Sequence, residues 1–235
     1  MAKKNKEISS SNLIKVKPIT EGQKSVFETW KKGQNQFLFG CAGTGKTFIS
    51  LYLAMEDVLN LQTKYEKVIL VRSLIPTREI GFLPGDEEDK AALYQVPYQN
   101  MVQFMFEMPN EQSFNNLYDK LKNQGTLFFL STSFLRGLTF DNAIIIVDEC
   151  QNMNFHELDT IVTRVGQDSK IVFCGDFDQS DLVRTNEKNV LHDFLRILEE
   201  MEEFHCCEFT IGDIVRSGFV RSYLINKTKL GIGME

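Results

Sequence analysis

One stretch of the sequence decides the fold: Gly40-Cys41-Ala42-Gly43-Thr44-Gly45-Lys46-Thr47. It matches the pattern G-x-x-x-x-G-K-[ST], which is typical of a loop that holds phosphate oxygens with inward-turned backbone N–H groups. In such a loop the lysine reaches the β and γ phosphates, and the threonine hydroxyl is a ligand for Mg2+. The stretch therefore predicts a nucleotide site, to which we assign the eight residues and the following Phe48.

The sequence around this loop predicts alternating strands and helices. A short apolar run precedes the loop at residues 36–39. Apolar residues recur at helical spacing after it. Further β-rich runs follow at residues 67–71, 126–130, 143–147, 170–174 and 207–211. Because such runs alternate with helical periodicity, we predict an α/β fold with a mostly parallel sheet flanked by helices.

Two segments depart from this alternation. Residues 81–124 interrupt it and predict a helical insertion. Its stripe of large apolar side chains could belong to the core or form a partner-binding face, and includes Met101, Phe104, Met105 and Met108. Residues 1–19 predict a flexible basic tail. We therefore expect residues 20–235 to form a single domain that carries the insertion.

Polar residues follow two of the predicted strands at the point where each ends. Asp148 and Glu149 come directly after the run at 143–147. Asp148 would orient Mg2+ and its waters, and Glu149 could take a proton from an attacking water. The alternative is that the two acids cap a helix. Gln179, in the pattern Gly175-Asp176-x-x-Gln179, could contact the γ-phosphate at the same edge of the sheet.

Composition sets the broad class of protein. Of 235 residues, 43 % are apolar and 25 % are charged, which is ordinary for a globular chain. No apolar run is long enough to cross a bilayer, and the N-terminus lacks the apolar stretch of a signal peptide. We therefore expect a cytoplasmic location and no membrane partner. The net charge is -6, yet the first 35 residues hold eight lysines and three glutamates.

The motifs, taken together, resemble those of the PhoH family, small ATPases of bacteria and their phages that are related to the RecA-like half of superfamily 1 helicases. The resemblance runs from about Thr20 to Lys229 and implies a RecA-like P-loop NTPase with ATP and Mg2+ as cofactors. A phage-encoded member would act in the host cytoplasm. The motifs that carry the resemblance are residues 40–47, Asp148-Glu149-Cys150-Gln151-Asn152, Gly175-Asp176-x-x-Gln179 and Gly81-Phe82-Leu83-Pro84-Gly85-Asp86.

The resemblance also implies roles for residues outside these motifs. Gln23 resembles the glutamine with which related helicases contact adenine. Arg216 is our candidate for an arginine finger, and joins Lys46, Glu149 and Gln179 in the predicted catalytic set. The loop after the second strand would contact a nucleic-acid backbone through Arg72, Ser73 and Arg78. The sequence departs from the family pattern at Cys150, where alanine is usual, and at Ser73, where proline is expected.

Two functions from different classes fit these features. The first is an Mg-ATP hydrolase that acts on single-stranded nucleic acid, with RNA favoured over DNA. The second is a nucleotide-gated oligomeric module for regulation or assembly, with slow turnover and no helicase activity. A small-molecule kinase is a third and weaker candidate. We expect no room in this chain for a second RecA-like domain, so a neighbouring subunit would supply the arginine finger in a head-to-tail ring, for which the resemblance suggests a hexamer.

Overall fold

The computed structural model describes residues 7–73, 87–135, 137–176 and 185–230. Within these ranges the sheet is built from β1 (Asn35–Gly40), β2 (Lys67–Arg72), β3 (Leu127–Ser131), β4 (Ala143–Asp148), β5 (Lys170–Cys174) and β6 (Phe204–Phe209). The helices are α1 (Glu21–Lys31), α2 (Lys46–Leu59), α3 (Glu87–Met105), α4 (Glu111–Asn123), α5 (Phe155–Val162), α6 (Thr185–Glu199) and α7 (Gly218–Lys229). In the part of the chain that is described, no helix combines the length and the apolar character needed to cross a membrane.

The six strands form one parallel sheet in the order β3-β2-β4-β5-β1-β6. β1 lies between β5 and β6, whereas β2 lies between β3 and β4. The predicted parallel α/β fold is confirmed. Because all strands run in the same direction, their carboxyl ends meet at one edge of the sheet, where open α/β folds bind ligands.

Helices cover both faces of the sheet, and each face has its own apolar core. On one face, side chains of α2, α3 and α4 pack with Leu38, Ile146 and Val172. On the other face, side chains of α5 and α6 pack with Ile145 and Phe173. Every residue of β4 is buried because the strand is covered on both faces. This strand therefore holds its carboxyl end firmly in the middle of the binding edge.

The last strand, β6, begins and ends earlier than the run at 207–211 that the sequence predicts. β6 ends at Phe209 because Thr210 and Asp213 form a short turn. Thr210 donates from its backbone N–H to Asp213 Oδ2 (2.9 Å), and its side-chain hydroxyl accepts from Gly212. This turn captures the backbone groups that would otherwise extend the strand, and α7 begins only at Gly218.

The amino-terminal segment differs from the predicted flexible tail. Ile8 and Leu13 are buried in the core, and the backbone N–H of Ile14 donates to the carbonyl of Met105 at the end of α3 (2.8 Å). The burial of these two side chains and this hydrogen bond dock residues 8–14 against the fold. In the predicted insertion, Met105 is buried while Phe104 is 63 % exposed, so the apolar stripe is divided between core and surface.

Candidate nucleotide site

The loop between β1 and α2 has the backbone shape of a phosphate cradle. Gly40, Gly43 and Gly45 have φ values of 102°, 73° and 86°, in the left-handed region that glycine adopts without strain. At Gly40 a side chain would also collide with the backbone of Phe209 in β6. α2 begins at Lys46, so the positive end of its dipole faces the loop.

Lys46 lies across this loop. Its Nζ donates to the carbonyl oxygens of Gly40 and Cys41, each at 2.8 Å. The ammonium also lies 5.9 Å from the centre of the Phe209 ring. The lysine charge is therefore held beside the backbone N–H groups that would surround a phosphate.

Thr47 and Asp148 meet across the sheet edge. The Thr47 hydroxyl donates to Asp148 Oδ1 at 2.7 Å, and the aspartate is buried at the end of β4. These two hard oxygen donors fit Mg2+, which is usually held by one or two carboxylates together with waters and substrate phosphates. Within the described ranges no group of three or more His, Cys, Asp or Glu side chains could hold a metal. Thr47 and Asp148 are the described residues that would hold an Mg2+ ion together with the nucleotide phosphates.

Glu149 occupies a constrained position directly after Asp148. Its φ of 53° lies in the left-handed region, which turns the chain away from the strand direction. Gln151 holds both sides of this turn: its Nε2 donates to Glu149 Oε2 at 2.6 Å, and its Oε1 accepts from the Asp176 N–H at 3.1 Å. The carboxylate of Glu149 is thereby tied to the end of β5.

The environment of Glu149 suits a general base. Burial and the neighbouring Asp148 raise the pKa of Glu149 above its ordinary value, while Arg72, Gln151 and Lys46 act in the opposite direction. A carboxylate with a raised pKa binds a proton more strongly than an exposed one. The arrangement can therefore accept a proton from a water molecule placed near the loop.

Tyr98 and Arg72 complete the acidic side of the site. The buried Tyr98 hydroxyl donates to Asp148 Oδ2 at 2.7 Å. Burial raises the pKa of Tyr98 well above its ordinary value, so the hydroxyl remains protonated. Burial alone would lower the pKa of Arg72, but Tyr98, Glu149 and Asp148 raise it. The guanidinium also lies 5.4 Å from the ring centre of Tyr94.

Gln23 connects α1 to the phosphate loop. Its Nε2 donates to the Thr44 carbonyl at 3.1 Å, and its Oε1 accepts from the Ile19 N–H at 2.9 Å. The side chain is buried and lines the same cavity as the loop. In the structure Gln23 therefore supports the loop, and its contact with adenine stays a prediction.

Arg216 lies beside the loop of its own chain. The backbone N–H of Val215 donates to the Gly43 carbonyl at 3.1 Å. If Gly43 carried a side chain, its Cβ would lie only 2.9 Å from Arg216 Cγ, so the Arg216 side chain packs closely against the loop. The Arg216 side chain is exposed and lines the cavity. This position is at the nucleotide cavity of its own chain, so the action of Arg216 on a neighbouring subunit stays a prediction.

Most of the predicted site residues come together around one cavity of about 650 Å3. Sequence reasoning assigned Arg72 to a nucleic-acid surface, whereas the structure places it in this cavity beside the acids. The sequence does not predict the contact of Tyr98 with Asp148, because nothing in the local pattern of α3 links the two residues. Ser73 is buried. Gln179 and Arg78 lie outside the described residues.

A parallel sheet with a glycine-rich phosphate loop after β1 and an acidic pair after β4 defines a P-loop nucleotide-binding protein of the RecA-like class. The large terminase of a thermophilic bacteriophage, solved in complex with ADP, shares this fold with a TM-score of 0.50 and 14 % identity, over 89 % of this chain and 50 % of that one. The family described as PhoH-like protein matches residues 15–226. The chain belongs to this PhoH family.

Curated relatives agree with this assignment. A PhoH-like protein of Synechocystis is 31 % identical over 207 residues, which is 88 % of this chain and 60 % of that protein. Protein PhoH2 of Bacillus subtilis is 35 % identical over 145 residues, which is 61 % of this chain and 32 % of that protein. The chain thus spans between a third and three fifths of the length of these relatives.

Proposed function

We propose that the chain binds ATP with Mg2+ and hydrolyses it, and that single-stranded nucleic acid, RNA more than DNA, stimulates this turnover. The observation that carries the proposal is the 2.7 Å hydrogen bond between Thr47 and Asp148, with Glu149 next in the chain. This bond brings the phosphate loop together with Asp148, which gives two oxygen donors suited to a metal. The next residue, Glu149, adds a carboxylate with a raised pKa. These are the parts that phosphoryl transfer to water requires.

Each group has a distinct role in this proposal. Lys46 and the amino-terminal end of α2 stabilise the negative charge of the β and γ phosphates. Thr47 and Asp148 hold Mg2+, which neutralises phosphate charge when bound. Glu149 accepts a proton from the attacking water. Gln151 keeps the Glu149 carboxylate in place through its hydrogen bond to Oε2.

The nucleic-acid part of the proposal is supported by the family resemblance and by the charge of α7. This helix, Gly218–Lys229, has three basic residues, Arg221, Lys227 and Lys229, and no acidic residue, in a chain whose net charge is -6. Its aromatic side chains Phe219 and Tyr223 are exposed. Basic residues beside exposed aromatic rings suit the phosphates and bases of a single strand.

The test is an ATPase assay with single-stranded RNA, with single-stranded DNA and with neither. We expect RNA to stimulate turnover most, and the stimulation to fall as salt rises, because counterion release drives phosphate contacts. Lys227→Ala with Lys229→Ala should reduce the stimulation and leave the basal rate unchanged. Arg78→Ala tests the contact that the sequence predicts. A basal rate that stays constant over a wide range of RNA concentration at low salt would contradict the coupling.

A second candidate, a nucleotide-gated assembly module, is favoured by the apolar side chains on and next to α7. Phe219, Tyr223 and Leu230 are 84 %, 59 % and 70 % exposed. α7 also contacts the phosphate loop, because Leu224 lies next to Gly43. A partner bound on this helix could therefore sense the nucleotide. Light scattering with and without a non-hydrolysable ATP analogue measures assembly and tests the predicted hexamer. Nucleotide-dependent assembly without RNA stimulation would favour this second function.

A further inference from the structure

The carboxylate of Asp148 is held by two hydroxyl groups from two different helices. Thr47, in α2, donates to Oδ1, and Tyr98, in α3, donates to Oδ2, each at 2.7 Å. Tyr98 is 1 % exposed, and its ring lies 5.7 Å from that of Phe129 in β3. One donor on each oxygen fixes the rotation of the carboxylate about its side-chain bond. The hydroxyl of Tyr98 cannot move without displacing its packed ring.

Arg72 lies beside the same pair of residues. Arg72 ends β2 and is the register partner of Asp148 on the neighbouring strand. Burial lowers the pKa of Arg72, and Tyr98, Glu149 and Asp148 together raise it above its ordinary value. A carboxylate oxygen can only accept a hydrogen bond, so the proton of the Tyr98 hydroxyl points to Asp148.

We propose that Tyr98 is a positioning residue for the metal site: it holds Asp148 so that Oδ1 faces Thr47 and a metal bound there. Groups that orient a metal ligand without touching the metal typically change metal affinity by about 10- to 100-fold when they are removed. Because Tyr98 belongs to α3, the packing of this helix against the sheet contributes to the position of Asp148. The inference rests on the proposed function, since it requires a site for Mg2+ and nucleotide.

The experiment measures binding rather than turnover. A fluorescent ATP analogue is titrated onto wild type and Tyr98→Phe, first in EDTA and then at increasing MgCl2. We expect the half-saturating Mg2+ concentration to rise about tenfold in Tyr98→Phe, as for other residues that orient metal ligands. Binding in EDTA should stay at the wild-type level. Tyr118→Phe is the matched control, because Tyr118 is also buried, packs against Phe114 in α4 and lies outside the cavity.

The outcomes separate this inference from the proposed function. If wild type shows no Mg2+-dependent nucleotide binding, the proposed function and this inference both fail. If wild type shows it and Tyr98→Phe has the same half-saturating Mg2+ concentration, only the positioning role is overturned. A purely structural role would lower the melting temperature without moving that concentration. Should Tyr98→Phe fail to fold, Phe129→Leu loosens the packing of the Tyr98 ring while keeping its hydroxyl, and is held to the same criterion.

Discussion

The two edges of the sheet both contain charged groups that are buried or partly buried, and the surroundings of these groups differ. At the carboxyl edge, Asp148, Arg72 and Lys46 surround an open cavity, and each has partners on other elements. At the opposite edge, Lys170 is 2 % exposed, donates to the Trp30 carbonyl at 3.0 Å and lies 4.1 Å from the Trp30 ring centre. A charge beside a cavity can act on a ligand, whereas an enclosed charge acts only on the stability of the fold.

If this comparison is right, Arg216→Ala should give the largest loss at the open edge. An arginine that neutralises charge on the transferred phosphate raises turnover by about 10³- to 10⁵-fold in related NTPases. If Arg216 acts on a neighbouring subunit, as the sequence predicts, mixtures of Arg216→Ala and Glu149→Gln recover activity, since one variant keeps the base and the other keeps the arginine. If it acts in the cavity of its own chain, which it lines in the structure, they do not. The measurement is ATP turnover in mixtures shown to co-assemble. Failure of such mixtures to recover activity would mean that Arg216 does not act across an interface.

Glu149→Gln should stop hydrolysis and leave nucleotide binding intact. Loss of a general base costs about 10²- to 10⁴-fold in rate, and the amide keeps the size of the side chain. Nucleotide affinity is measured by calorimetry, and turnover by phosphate release. Turnover at the wild-type rate would show that another group takes the proton. Glu157→Gln, on α5 outside the cavity, is the control for loss of a nearby charge.

Lys46→Ala should lower turnover by about 10²- to 10³-fold, the loss found when one preorganised donor to developing charge is removed. Unlike Glu149→Gln, it should also weaken binding, because the ammonium meets phosphate charge in the ground state. The two variants are compared by calorimetry at equal Mg2+. Unchanged nucleotide affinity and turnover in Lys46→Ala would show that this loop does not bind the nucleotide phosphates.

At the closed edge, Lys170→Met should change stability and leave nucleotide binding unchanged. Burial lowers the pKa of Lys170 from 10.5 to about 8. Between these values the unfolded chain binds more protons than the folded one, so this lysine makes the unfolding free energy rise with pH. The full shift corresponds to about 3 kcal/mol. We expect urea unfolding at pH values from about 7.5 to about 9.5 to show a smaller rise for Lys170→Met than for wild type.

The exposed Lys120→Met is the control, since its charge is screened by water in both states. An identical pH dependence in wild type and Lys170→Met would show that Lys170 does not titrate in this range.

The sequence predicted what depends on local pattern. The phosphate loop and the acids after β4 were recognisable because their chemistry requires fixed residue types at short spacing. The contact between Tyr98 and Asp148 could not be predicted, because it depends on where α3 packs against the sheet. The same holds for Lys170, since a lysine at the start of a strand is usually exposed and its burial here depends on the Trp30 side chain of α1.

The position of β1 in the sheet has a consequence for how the chain acquires its structure. β1 pairs with β5 and β6, and Gln36 is aligned with Val172 and His205. During synthesis its partner strands therefore emerge later than β2, β3 and β4, which can pair with one another sooner. Distant pairings of this kind form late because a long loop must close first. Nucleotide binding by the loop after β1 would thus follow the pairing of β1 with β5, and a ribosome-bound chain stalled before β5 should not show it.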